Sequence, residues 1–247
     1  MKSFIFANRN FKEITRDPAS MIMSIGFPVL LILALSLMKQ SIGGMADIFE
    51  VGNFTPSMMV FGLSFFGMFV GSLMSTDNET SFLMRLFASP LTAFDYIIGY
   101  SLPVLPLALI QGICCFITAF FFGLQFNVNI ILSLIVLIPI AVLFIACGLF
   151  IGSVFSSGTS VSGFSTILVN AVVFLGGAVI PLDLVGGIFK TICYLLPFAH
   201  ANDAVKAALA GEYSHIIPHL LWVSGYAVVL IVPAIFIFRK KMKGQGR

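Results

Sequence analysis

The sequence has 247 residues and a net charge of +3, with 9% charged side chains where an ordinary soluble domain carries about 25%. Hydrophobic residues make up 59%, including 27 Phe, beside 22 Gly. This composition excludes a soluble single-core protein, and the charge excess is too small to imply nucleic acid. An all-α polytopic membrane protein is the class that fits. Residues 96–182 contain no Asp, Glu, Lys, Arg or His. A helix takes about 20 apolar residues to cross ~30 Å of hydrocarbon, so this run alone crosses roughly three times.

Residues 3–16 predict an amphipathic helix. Phe4, Ala7, Phe11 and Ile14 recur at spacings of three and four, while Arg9, Lys12, Glu13 and Arg16 take the other face. That is the pattern of a helix lying in the membrane interface. Asp17-Pro18 breaks it, and Pro is accepted in the first turn of the next helix. Two readings stay open: a basic tail that enforces orientation, or an elbow, carried by Arg9, Lys12, Arg16 and Asp17, that passes motion into the first span.

Six spans are expected. The first covers 19–38, ended by Lys39, and the second 54–75, ended by Asp77. Turn formers around residues 123–129 and 156–160 divide the uncharged run into spans at 97–122, 130–155 and 161–181. The sixth covers 216–238 and is stopped by Arg239-Lys240-Lys241. Residues 184–199 are apolar but short, interrupted by Gly186-Gly187, Lys190 and Pro197. A re-entrant or interfacial segment suits them better than a crossing. With six crossings both termini share a side, predicted cytoplasmic because ten Lys and Arg lie there, in the two ends and at Arg85. Only Lys39, Lys190 and Lys206 lie opposite. The N-terminus has no short apolar core with a small-residue cleavage site, so the first span is expected to act as its own insertion signal.

The segment between spans two and three reads Asp77-Asn78-Glu79-Thr80-Ser81-Phe82-Leu83-Met84-Arg85-Leu86-Phe87-Ala88-Ser89-Pro90-Leu91. Acidic residues open it, as a helix N-terminus favours. Phe82, Leu83, Leu86 and Phe87 give an apolar stripe, and Ser89-Pro90 ends it. A short amphipathic helix over 77–90 can rest on lipid or fit a groove in a partner.

Other residues invite chemistry less. Cys114, Cys115, Cys147 and Cys193 show no metal-ligand spacing and read as buried thiols. His215 and His219 share a helix face with His200 nearby in sequence, yet no carboxylate or thiol stands at ligand spacing, and Pro218 disturbs the helix. They read as interfacial, non-ligating histidines, and Asp203 and Glu212 as hydrated loop acids. Within the spans, Gln111, Ser165, Thr166 and Asn170 are the polar candidates. Gln111 and Asn170 can hydrogen-bond between helices or line a substrate path. Gly62, Gly67, Gly71 and Gly176-Gly177 mark close helix packing or a dimer seam. No ionisable pair lies inside the spans, which argues against an ion-coupled pump. Nor is there a nucleophile with a base, so catalysis is not expected.

The loop after the second span resembles the coupling region of ABC-2 type transporter permeases, whose pattern is roughly Glu-Arg-Glu-x-Gly-Thr-Leu, five residues, then Ser-Pro-Leu, a tyrosine or leucine and a glycine. Here Asp77 and Glu79 stand at the acidic positions, Leu83 at the leucine, then Ser89-Pro90-Leu91, Tyr96 and Gly99. Asn78, Ser81 and Phe82 depart from it. The amphipathic start with Arg16-Asp17-Pro18, the six spans, and an outer segment with Gly177, Pro181, Leu196-Pro197-Phe198 and Lys206 extend the resemblance along the chain. It implies an exporter half, paired with itself or a similar chain, moving a hydrophobic or amphipathic compound such as a drug, antimicrobial peptide or lipid-linked molecule. A separate ABC ATPase subunit would bind ATP and Mg, and Asp77, Glu79, Phe82, Leu83, Arg85 and Leu86 would contact it. No Gly-x-x-x-x-Gly-Lys-Ser/Thr loop occurs in this chain, so no cofactor is expected in it. The competing reading is a non-transporting membrane scaffold or sensor.

Overall fold

The computed structural model describes residues 2–41, 50–80, 92–178 and 182–244, and among these every regular element is helical. Helix α1 spans Lys2–Arg16. After Asp17, whose side chain accepts from Ala19 N–H, α2 (Pro18–Met21) runs through a π turn, Ile22–Gly26, into α3 (Phe27–Ser41). The π turn has a local cause. Pro28 lacks the N–H that Ser24 would receive, and the register slips so that Phe27 N–H reaches back to Ile22 O.

Helix α4 spans Val51–Glu79, α5 Ala93–Ser101, α6 Val104–Phe121, α7 Asn129–Val154 and α8 Gly158–Leu175. Three shorter helices follow: α9 (Leu182–Val185), α10 (Gly187–Leu195) and α11 (Pro197–Ala210). The last, α12, spans Tyr213–Gly244. Six stretches are long and apolar enough to cross a membrane: Pro18–Gln40, Val51–Glu79, Phe94–Phe121, Asn129–Val154, Gly158–Leu175 and Tyr213–Lys241. The protein is a multi-pass membrane protein.

Helices α4 and α7 form the centre, and α12, α11, α8, α6 and α3 pack around them. Their crossing depends on paired glycines. A Cβ on Gly148 would lie 2.0 Å from Gly67 O, and one on Gly67 would lie 2.5 Å from Phe144 O. Backbone meets backbone there, and Gly71 and Gly152 continue the contact one turn on. Gly67 and Gly71 therefore serve packing within the chain. At a neighbouring crossing a Cβ on Gly62 would meet Gln111 Nε2 at 2.4 Å and Pro28 Cγ at 2.6 Å, so α3, α4 and α6 converge on that glycine.

Several boundaries differ from the sequence reading. The second crossing continues past Asp77 to Glu79, because Asp77 is neutralised inside the protein rather than left at the lipid edge. The fifth stops at Leu175, well before Pro181, where Gly176-Gly177 turns the chain and Gly177 takes a φ of 71°. The segment expected at 184–199 takes in the end of α9, all of α10 and the start of α11, with breaks at Gly186 (φ 61°) and at Leu196-Pro197. Helix α11 was not foreseen, and Asp203 lies in it rather than in a loop. Its Ala-rich sequence has little hydropathy, yet small side chains let it settle deep against α7, α4 and α12, burying Ala201, Ala204, Val205 and Ala208.

Candidate coupling site

Helix α1 buries a face rotated from the one its spacing marked, sharing Ala7 and Ile14 with it. Phe6, Ala7, Asn10 and Ile14 are the buried positions, whereas Phe4 and Ile5 are 70% and 71% exposed and Phe11 is half-buried. The reason is a socket on α5. Phe6 stands edge-on to Tyr96 (5.6 Å, 69°) and Tyr100 (5.0 Å, 82°). Between them Gly99 leaves room for the ring: a Cβ there would lie 2.0 Å from Phe6 Cδ1.

Asn10 completes the docking. Pro103 cannot donate the hydrogen bond that Gly99 O would receive in a continuous helix. Asn10 Nδ2 donates to that carbonyl instead, at 3.0 Å. A polar residue on the apolar stripe and a proline four residues after a glycine were the visible signals for this contact.

The charged residue one step back makes the strongest link. Arg9 donates to both oxygens of Asp77, Nη1 to Oδ2 and Nη2 to Oδ1, each at 2.8 Å. The fork geometry suits guanidinium against carboxylate. Asp77 is fully buried, and Tyr100 OH also donates to its Oδ2 at 2.7 Å. Arg9 further contacts Glu13 (2.6 Å) and Asn10 Oδ1 (2.9 Å). Burial opposes the charge on Arg9, but the hydrogen-bonded Asp77 outweighs it, and the Arg9 pKa rises. Burial pushes the Glu13 carboxyl up against the pull of Arg9.

Further contacts frame the same region. Ser3 Oγ donates to Asp95 Oδ1, and Asp95 also forms a capping box with Thr92 at the start of α5. Glu79 Oε1 accepts from Gly158 N–H at 2.7 Å, placing a carboxylate at the N-terminus of α8. Lys241 donates to Ser156 Oγ at 3.2 Å, and Phe238 meets Tyr96 at 4.9 Å. The N-terminal helix and the basic end of α12 thus share one end of the bundle.

Of the expected coupling residues, Asp77 is therefore an interior anchor and Glu79 an exposed helix cap. Phe82, Leu83, Arg85 and Leu86, with Ser89-Pro90-Leu91, lie outside the described residues. In the elbow, Arg9 is pinned, Asp17 caps α2, and Lys12 and Arg16 are exposed. Gln111 is buried, donating to Met59 O at 3.1 Å, while its Oε1 has no hydrogen-bond partner. Asn170 is exposed and donates only within its own helix, to Thr166 O. Thr159, Ser162, Thr166 and Asn170 form an exposed polar stripe along α8. At the end of the bundle remote from α1, a polar cavity of about 1120 Å³ is lined by Lys39, Glu50, Asp203, Lys206, His215 and His219, among others. No cluster of three or more His, Cys, Asp or Glu placed to hold a metal occurs among the described residues.

Comparison with known proteins agrees with this architecture. The family model described as ABC-2 type transporter matches residues 2–210. Nodulation protein J of Rhizobium meliloti (strain 1021) is 28% identical over 80 residues, which cover 32% of this chain and 30% of that protein's length. With six membrane-length helices and a family match that takes in α1 to α11, the chain belongs to the ABC-2 type transporter family.

Proposed function

We propose that this chain is the permease subunit of an ATP-driven exporter, with residues 81–91 as the part on which a separate ABC ATPase subunit pushes. One observation carries the reading. The segment is flanked by Asp77 and Asp95, and each is bonded to α1, by Arg9 and by Ser3. Force on the segment would therefore move the end of α4, the start of α5 and α1 as one body. Through Asp17-Pro18 that body continues into α2 and the π turn, where the helical register is already broken.

On this reading α1 is an interfacial elbow, its exposed Phe4 and Ile5 reaching lipid and its Lys12 and Arg16 facing anionic headgroups. The basic ends lie in the cytoplasm, following the Lys and Arg bias. The stripe on α8 supports a pair of such chains. Thr166 and Asn170 donate within their own helix, but the Asn170 amide oxygen would face lipid that cannot donate to it, so a second copy or a passing amphiphile is the natural neighbour of Asn170. Buried Gln111 serves packing, which leaves Asn170 as the path candidate.

Affinity purification of the full chain from native membranes tests this. An ATPase bearing a Walker motif should accompany the chain and be lost from the Leu83→Glu variant, while membrane insertion persists. Repeated purification without any such subunit would overturn the proposal. So would labelling of a Thr80→Cys variant by a membrane-impermeant maleimide added outside the cell.

A further inference from the structure

At the end remote from α1, the turn at Leu196-Pro197 leaves the last carbonyls of α10 outside the helical ladder. Two side chains take them. Tyr226 OH of α12 donates to Leu195 O at 2.6 Å, and His200 Nε2 lies 3.0 Å from Tyr194 O. A carbonyl only accepts, so His200 carries its proton on Nε2. Its Nδ1 is then a bare lone pair whenever the ring is neutral. His219 Nδ1, 2.8 Å away, must be the donor. One chain of hydrogen bonds, from His219 through His200 to Tyr194 O, thus joins α12, α11 and the end of α10. Trp222 stacks on the His200 ring at 5.1 Å and 6°, and Tyr194 stands edge-on at 5.4 Å.

We infer that His200 and His219 form a proton-operated latch that holds α11 to α12 near neutral pH and releases it in acid. The closed pair takes one proton at most, on His219 Nε2. A second, on His200 Nδ1, would oppose two N–H groups and two like charges across the same contact. Separated rings take two. Well below the ordinary histidine pKa of about 6.5, opening therefore takes up about one proton net, and the shift in its equilibrium approaches about tenfold per pH unit.

The charged neighbours do not replace either ring in the chain. Asp203 accepts from Tyr194 OH at 2.5 Å. The cationic and titratable groups of the same region are Lys206 on α11, Lys190 over the Tyr194 ring (5.7 Å) and His215 on α12. Glu212, Glu50 and Lys39 line the same cavity. Asp203, Lys206, Ala207 and Ala210 of α11 form part of the cavity wall, so the latch governs that wall. Neither the hydrogen-bond chain nor its titration depends on which subunit drives the opposite end.

The chain has three histidines, so 15N-histidine labelling of the full chain in lipid nanodiscs resolves each ring, assigned by single substitutions. At pH 7.5 His200 should be the Nε2–H tautomer and His219 the Nδ1–H tautomer. The protection of α11 amides against hydrogen exchange should fall by about fivefold or more between pH 6 and pH 5. In His219→Gln the amide can donate to a neutral His200 Nδ1 or accept from a charged one, so protection should hold across this range. Reversed tautomers, unchanged protection in the native chain, or an equal fall in His219→Gln would each overturn the latch.

Discussion

Breaking the Arg9–Asp77 fork should release α1 from the bundle. Asp77 is fully buried and accepts three hydrogen bonds, two from Arg9 at 2.8 Å and one from Tyr100 at 2.7 Å. In Arg9→Ala the carboxylate stays buried with only the tyrosine, and stranding a buried charge costs about 3–5 kcal/mol. Arg9 is itself one-third exposed, so the lower figure applies. About 3 kcal/mol corresponds to a change on the order of 100-fold in the docked-to-released ratio of α1. Hydrogen exchange of residues 3–16 in nanodiscs reads that ratio directly. The double variant Arg9→Met with Asp77→Leu removes both charges and should recover most of the protection, giving a coupling energy of about 2 kcal/mol in the cycle. If Arg9→Ala leaves exchange in α1 unchanged, or the two losses simply add, the fork does not hold the helix.

Four other substitutions test separate parts of the structure. Gly148→Ala forces a Cβ to within 2.0 Å of Gly67 O, where only backbone can yield, and should lower the thermal midpoint in detergent by an amount equivalent to about 2 kcal/mol or more. Gly163→Ala, with nothing within 4 Å, should be neutral in the same assay. Gln111→Met keeps the volume and removes an amide oxygen that has no partner, so stability should change by less than about 1 kcal/mol and transport should persist; a specific loss of transport would restore Gln111 to the substrate path. Glu13 supplies a pH dependence. Its folded pKa is raised, chiefly by burial, so its contribution to docking is complete below the unfolded value and is lost as pH rises through the folded one. Glu13→Gln should therefore protect α1 more than the native side chain at pH 7 and equally at low pH; no difference at either pH would show that Arg9 offsets the burial fully.

Much of the candidate site was legible because its parts announce themselves locally. The periodicity of residues 3–16 and the break at Asp17-Pro18 each lie within one or two helical turns, whereas Asp77 and Glu79, read as opening a new helix, close α4 instead. The buried face of α1 was misread by one step, Phe6 and Asn10 in place of Phe4 and Phe11. Spacing gives the width of an apolar stripe, but the socket of Tyr96, Gly99 and Tyr100 fixes its rotation. Helix α11 was missed because hydropathy rewards large apolar side chains, whereas alanines bury well only against a close neighbour.

By itself the sequence determined the solvent, the number of membrane-length helices and the gathering of basic residues at the chain ends. These follow from run length and charge counts, which are one-dimensional properties. Tertiary structure alone decided the pairings: Arg9 with Asp77, Asn10 with Gly99, Gly67 with Gly148, and His200 with His219. Which side chains meet depends on how each helix is rotated about its axis and how closely two backbones approach. Both are set by packing among segments far apart in the chain.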